Sequence, residues 1–272
     1  MSWVWIVLAP ALGGFVYGFE RVVRARMQRR VGPPLLQPFY DMFKLMDKRT
    51  LIIHAPHALL AVAHFALLWL TVGALFAGWN LLYIVFLHLF ALIALVLAGY
   101  SVRSPYSHVG ANRELAALAA YEPVLVLVAV GFFLASGSFD VEVITQGSGY
   151  LERMPLLFAA LLIVIPVKLK KSPFDTLSAH QEIVGGVEVE YGGLFYEFLY
   201  MARFLEYLFV YGFAYLFAGD SVGLGVGLVL GVFLLVNLVD NATARVRSDH
   251  MVGIVYGLAL TLATANIVWM VL

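Results

Sequence analysis

Asp175, Glu182, Glu188 and Glu190 crowd one short stretch of an otherwise apolar chain, with Lys168, Lys170 and Lys171 just ahead of them. Glu197, Arg203 and Glu206 follow among Phe, Leu and Tyr, and Glu122 stands alone in an earlier apolar run. Carboxylates near hydrocarbon suit one kind of chemistry. Desolvation and neighbouring charge move their proton affinity by whole units, so a row of them takes up and releases protons when a nearby charge changes. The competing reading of the stretch is a solvated interhelical loop, because charge runs usually face water. The acids inside apolar runs argue against it: a mid-helix charge costs roughly 2.5–3.5 kcal/mol on insertion scales, against about 0.5 gained per leucine. Glu122 has no charge within a helical turn and requires a partner on another helix or a water path. Arg203 and Glu206 are three residues apart and could neutralise each other.

Local signals give these residues a framework. Ser172, Pro173 and Asp175 match a helix start, with a side-chain cap, a proline at the first position and a carboxylate near the positive end. The resulting helix is expected to run to Val184, end at Gly185 and Gly186, and carry Asp175 and Glu182 on one face. His54, His57, His64 and His88 have no carboxylate or cysteine at metal-ligand spacing, which points to packing and hydrogen bonding rather than to a metal. Cysteine is absent, so the chain offers no thiolate for an iron–sulfur cluster, and any redox metal belongs on a partner. Phosphate-cradling glycine loops, nucleophile elbows and zinc-protease helices are not found, and zero net charge gives no reason to expect nucleic acid.

The elements that must hold the acids are membrane helices. The chain is 62% hydrophobic and its mean hydropathy is +0.92, the range of multispan membrane proteins. We therefore expect an all-α polytopic protein forming a single integral membrane domain over 1–272, with eight transmembrane helices near 2–20, 57–78, 80–100, 113–136, 154–169, 195–218, 221–242 and 251–272. With the amino terminus outside, the inner loops hold 15 of the 17 lysines and arginines, which makes the acidic stretch cytoplasmic and the expected location the plasma membrane. The first inner loop combines an arginine-rich helix end with an amphipathic helix. There Gln37, Asp41, Lys44 and Lys48 recur opposite Leu35, Leu36, Phe39, Phe43 and Met46, as on a helix lying on the membrane surface or under a partner.

Three motifs together resemble a known family: the membrane subunit that joins the hydrophilic and membrane arms of complex I (its H-type subunit, also called NADH dehydrogenase subunit 1) and of energy-converting membrane-bound [NiFe] hydrogenases. Glu20 and Arg21 with ARMQRRVGP at 25–33 and LLQPFYDMFKL at 35–45 match its first loop. Gly110, Ala111, Arg113, Tyr121 and Glu122 match its fourth span. Ser172, Pro173, Phe174, Asp175, Ala179, Glu182, Val184, Gly186, Glu190, Tyr191 and Gly193 match its acidic loop. Quinone-reducing members usually carry extra residues between the GP and the LLQP, whereas Gly32, Pro33 and Pro34 here lead almost directly into Leu35, a shortening similar to the hydrogenase branch. Ser178 and His180 stand where the family often has acids.

The resemblance implies a subunit with no cofactor and no catalytic centre of its own. It would dock hydrophilic hydrogenase-like subunits carrying iron–sulfur clusters and a nickel–iron centre, and couple their redox chemistry to proton or sodium transport through antiporter-like membrane subunits in the lipid bilayer. Coupling would run through Glu122, Asp175, Glu182, Glu188, Glu190, Glu197, Arg203 and Glu206, and docking through Glu20, Arg26, Arg29, Arg30, Asp41 and Lys44. Alternatives are the corresponding H-type subunit of a quinone-reducing complex I, or a sulfur-reducing relative. A free-standing transporter would be expected to show an internal repeat, which is not seen, and a purely structural anchor would have no need of intramembrane acids.

Overall fold

The computed structural model describes residues 2–272, and each expected span holds a helix. In order these are α1 (Ser2–Met27), α2 (Gln37–Met46), α3 (Ala55–Phe76), α4 (Leu81–Ser101), α5 (Pro105–Ser136), the single turns α6 (Val141–Ile144) and α7 (Tyr150–Arg153), α8 (Pro155–Lys168), α9 (His180–Ile183), α10 (Leu194–Leu216), α11 (Val222–Ala242), α12 (Ser248–Ile254) and α13 (Thr261–Val271). A π-helical turn, Val255–Leu260, joins α12 to α13 into one continuous rod. Six helical stretches among the described residues are long and apolar enough to cross a membrane. α10 is long enough at 23 residues but carries Glu197, Arg203 and Glu206. α8 has 14 residues, or about 21 Å at 1.5 Å per residue, short of a hydrocarbon layer of about 30 Å.

The short helix is held from outside its own sequence. Asn266 of α13, fully buried, accepts from the backbone nitrogens of Leu156 and Leu157 at 2.8 and 3.0 Å, and its amide donates to the Arg153 carbonyl at 3.1 Å. That satisfies amide groups which a helix start leaves open and which lipid cannot hydrate. α1 needs similar help because Pro10 has no N–H to give the Ile6 carbonyl. Trp69 of α3 supplies the missing donor at 2.8 Å, so a sequence defect becomes an interhelical tie.

One local expectation fails and another holds only in part. The helix expected from Pro173 to Val184 is a 3-10 turn, Asp175–Ser178, followed by the single turn α9, which ends on Val184 at a positive φ of 55°. Ser172 does not cap it. Its hydroxyl donates to the Thr243 carbonyl at 2.8 Å and its backbone N–H to Asp240 at 2.9 Å, while Arg245 draws Asp175 and Glu182 toward the segment after α11. Tertiary charge pairing outweighs the cap signal. In α2 the expected polar face is divided: Lys44 and Lys48 are exposed, but Asp41 turns inward to Arg21 at 3.0 Å and Tyr200 at 3.4 Å, leaving Tyr40, Phe43 and Met46 outward.

The acidic segment lies tightly against α5. A Cβ on Gly110 would come within 2.6 Å of the Gly186 Cα, so the two backbones touch where no side chain fits. That close approach brings Glu188 and the Lys170–Lys171 pair alongside α5 and α10.

Candidate functional site: a buried ladder of ion pairs

The deepest rung is formed by side chains from four helices. His88 of α4 is fully buried and stacked on Phe209 of α10, ring centroids 4.3 Å apart. Its Nδ1 lies 2.9 Å from Glu122 of α5 and its Nε2 lies 3.2 Å from Glu206 of α10. The Lys168 ammonium, at the end of α8 and only 2% exposed, meets Glu206 at 3.2 Å, touches His88 Nε2, and sits 4.9 Å from the centre of the Tyr121 ring. A neutral ring satisfies every contact, donating from Nδ1 to Glu122 and accepting at Nε2 from the Lys168 ammonium; a doubly protonated ring donates to both carboxylates but sets its Nε2–H against that ammonium, which must then turn away toward Glu206 alone. One proton separates them.

The next rung pairs Lys170 with Glu114 of α5 and Arg203 of α10 with Glu188 of the 3-10 turn Gly186–Glu188. Burial opposes the charged form of Lys170, but Glu114 and Glu188 outweigh it and raise its pKa. Burial likewise opposes ionisation of Glu188, yet Arg203 and Lys170 hold its carboxyl below the ordinary value. Beside these groups lies a cavity of about 210 Å³ whose wall runs from Arg24 and Lys171, past Glu114, Glu188 and Arg203, to Lys168 and Glu206. At about 30 Å³ per molecule such a polar space holds several waters, so the two rungs share one hydratable interior.

The outermost rung fastens the acidic segment to its neighbours. Lys171 pairs with Glu20 of α1, and Arg24 with Asp240 of α11 at 3.0 Å. Arg245 grips Asp175 at 2.7 Å and Glu182 at 3.4 Å, and Arg113 of α5 reaches Glu182 at 2.8 Å. Arg113 first, then Arg245, hold the Glu182 carboxyl below its ordinary value.

The structure thus gathers Glu122, Asp175, Glu182, Glu188, Arg203 and Glu206 into one set of pairs. Arg203 does not neutralise Glu206; it faces Glu188, and Glu206 takes Lys168 and His88. Glu190 is half-buried and Glu197 is buried with one carboxylate oxygen unpartnered, and neither joins an ion pair among the described residues. Of the expected docking residues, Arg26, Arg29, Arg30 and Lys44 are exposed, Asp41 is half-buried against Arg21, and Glu20 is 1% exposed and belongs to the interior. His54, His57 and His64 make the packing contacts expected of them: His54 bonds the Ser101 carbonyl, His57 stacks on Tyr191, and His64 bonds the Ala91 carbonyl. His88 is the exception, and with Lys168 it is what sequence reasoning misses. A histidine alone in an apolar span is the available signal. No three His, Asp or Glu side chains converge as a metal site requires among the described residues.

Known proteins share this arrangement of helices. The family profile described as NADH dehydrogenase matches residues 1–271. The H-type subunit of NADH-quinone oxidoreductase from Thermomicrobium roseum is 32% identical, over 75% of this chain and 73% of that one. NADH-ubiquinone oxidoreductase chain 1 of Patiria pectinifera is also 32% identical, over 75% and 68% respectively. Among solved structures, a chain of the membrane-bound sulfane sulfur reductase, an archaeal respiratory membrane complex, superposes with a TM-score of 0.85 across 99% of this chain and 98% of that one, at 24% identity. That likeness is one of fold.

Proposed function

The chain belongs to the NADH dehydrogenase subunit 1 (H-type) family of respiratory-complex membrane subunits, and from that premise we propose that it couples redox chemistry on docked hydrophilic subunits to ion transport. The observation that carries the reading is the ladder itself: acids and bases alternate from the inner loops along a hydratable cavity as far as Lys168 and Glu206, and His88 bridges from Glu206 to Glu122. A charge change on a docked partner shifts the outer pairs, and His88 passes or withholds one proton between Glu206 and Glu122. Such a device needs no redox centre on this chain. Iron–sulfur clusters and a nickel–iron centre sit on the partners, and antiporter-like subunits continue the route.

We take the hydrogenase-type branch over the quinone-reducing one because the connection after α1 is short, Gly32, Pro33 and Pro34 leading almost directly into Leu35. The Leu35 carbonyl occupies the place a Gly18 Cβ would take, and the Phe39 ring lies 2.8 Å from the corresponding point on Gly14. The short connection is closed onto the helix, and Tyr17, on the wall of the charged cavity, packs against Phe204 and Tyr207 at 5.4 and 5.5 Å. Sulfur reduction is the second reading, prompted by the fold shared with the sulfane sulfur reductase.

Purification in mild detergent tests this. We expect a nickel-bearing subunit to accompany the chain, quinone to be absent from the purified complex, and simultaneous replacement of the exposed Arg26, Arg29 and Arg30 by Gln to release the hydrophilic module while the membrane part stays assembled. Stoichiometric quinone moves the chain to the quinone branch; an accompanying module without nickel favours sulfur chemistry; the chain recovered alone refutes the coupling role.

Sidedness has its own check. Arg103, His180 and Ser148 are exposed. Cysteines replacing Arg103 and His180 are expected to react with impermeant reagent only from the cytoplasm, and one replacing Ser148 only from outside. The reverse pattern inverts the orientation.

A further inference from the structure

α5 carries a mid-helix proline, Pro123, directly after Glu122. A proline has no N–H, so the carbonyl four residues earlier, that of Ala119, loses its helical partner. Helix carbonyls point toward the carboxyl end, which puts this open acceptor at the level of Glu122 itself. The Tyr256 hydroxyl donates to it at 3.0 Å. Tyr256 belongs to the π-helical turn Val255–Leu260, which packs on α5 and α8 through the fully buried Val255 and Ala259. π-turns within α-helices are uncommon and mark places where local helix geometry gives way to a particular contact. The Trp69–Ile6 bond beneath Pro10 is the same device on a helix with no ladder residue beside the proline, so the tie below Pro123 differs in what stands next to it.

We infer that Tyr256 is a positioning residue for Glu122: its hydroxyl fixes the proline break in α5 and so fixes the carboxylate against His88. This rests on the proposed role of Glu122 in coupling. Without the tyrosine donor, the Ala119 carbonyl must seek water or another donor, the break in α5 loosens, and the 2.9 Å contact between Glu122 and His88 is no longer held in place. The bond joins the last helical rod to the ladder, to which that rod otherwise contributes no charged side chain among the described residues.

The test uses the intact complex in inverted vesicles and a rescue. Tyr256→Phe removes only the hydroxyl. Pro123→Ala restores the N–H that the Ala119 carbonyl lacks, which makes the hydroxyl redundant. We expect Tyr256→Phe to lower the midpoint of thermal inactivation and to lose most ion uptake per electron transferred, with the redox rate to artificial acceptors kept. The Tyr256→Phe/Pro123→Ala complex is expected to recover both. If Tyr256→Phe leaves uptake and midpoint unchanged, or harms the Pro123→Ala complex as much as the natural one, the positioning role is wrong. Thermal loss and rescue without any change in uptake per electron overturns it too, since the bond then serves the fold alone. Failure of the coupling role itself reads differently, as unaltered uptake in complexes that lack the Glu122 carboxylate.

Discussion

Inverted vesicles carrying Glu122→Gln are expected to show no ion uptake while the docked module still turns over with artificial electron donors. The amide keeps a carbonyl oxygen for His88 Nδ1, 2.9 Å away in the native chain, so packing and assembly are preserved and only the exchangeable proton is lost. A carboxylate that merely filled a hydrogen-bonding position would tolerate the change. Uptake and redox rate must be read separately, because a drop in both would report damage to assembly and not to coupling. Uptake at full stoichiometry in this variant would reduce Glu122 to a structural group.

The largest effect on assembly is expected at Lys168. Its ammonium is 2% exposed and faces Glu206, itself 13% exposed, at 3.2 Å. Lys168→Met leaves that carboxylate with His88 alone, and removing one member of a buried pair typically costs about 3–5 kcal/mol. Most of the complex should fail to assemble. Adding Glu206→Gln removes the charge left behind, so the double variant is expected to assemble better than the single one yet to pump nothing. Recovery of the assembled complex on blue native gels is the measurement. Equal loss in single and double variants would mean that Lys168 matters through its packing on Tyr121 and Phe209, not its charge.

The helices are largely legible in the sequence because apolar runs of membrane length leave few alternatives. The wiring is legible only in part. Glu122 declares its need for a distant partner, since nothing within a turn can answer it, but the partner lies 34 residues away on α4 and no local spacing names it. The three-residue spacing of Arg203 and Glu206 is misleading: it says which pairs a lone helix permits, whereas in the fold Glu188 and Lys168 offer each of them a partner on another element. Lys168 reads as a loop charge because two further basic residues follow it. The expected helix after Pro173 fails for a similar reason, its capping hydroxyl being drawn to Thr243.

Glu122 stands near the middle of the 32-residue α5, and that depth has an electrical consequence. Carrying one charge fully across a membrane potential of 100 mV involves about 2.3 kcal/mol, so on the proposed coupling role and orientation a proton brought from the inner loops to Glu122 would feel about half of it, roughly 1 kcal/mol, a several-fold bias in occupancy per 100 mV. Loading of the ladder would therefore be voltage-dependent: a membrane negative inside opposes the step outward to Glu122, and a collapsed potential favours it. The remaining half of the field is not spanned by any ion-paired acid of this chain beyond Glu122 among the described residues. On the proposed coupling role, a proton that stops at mid-depth would have to be handed sideways, and the rest of the electrical work would fall to a neighbouring subunit.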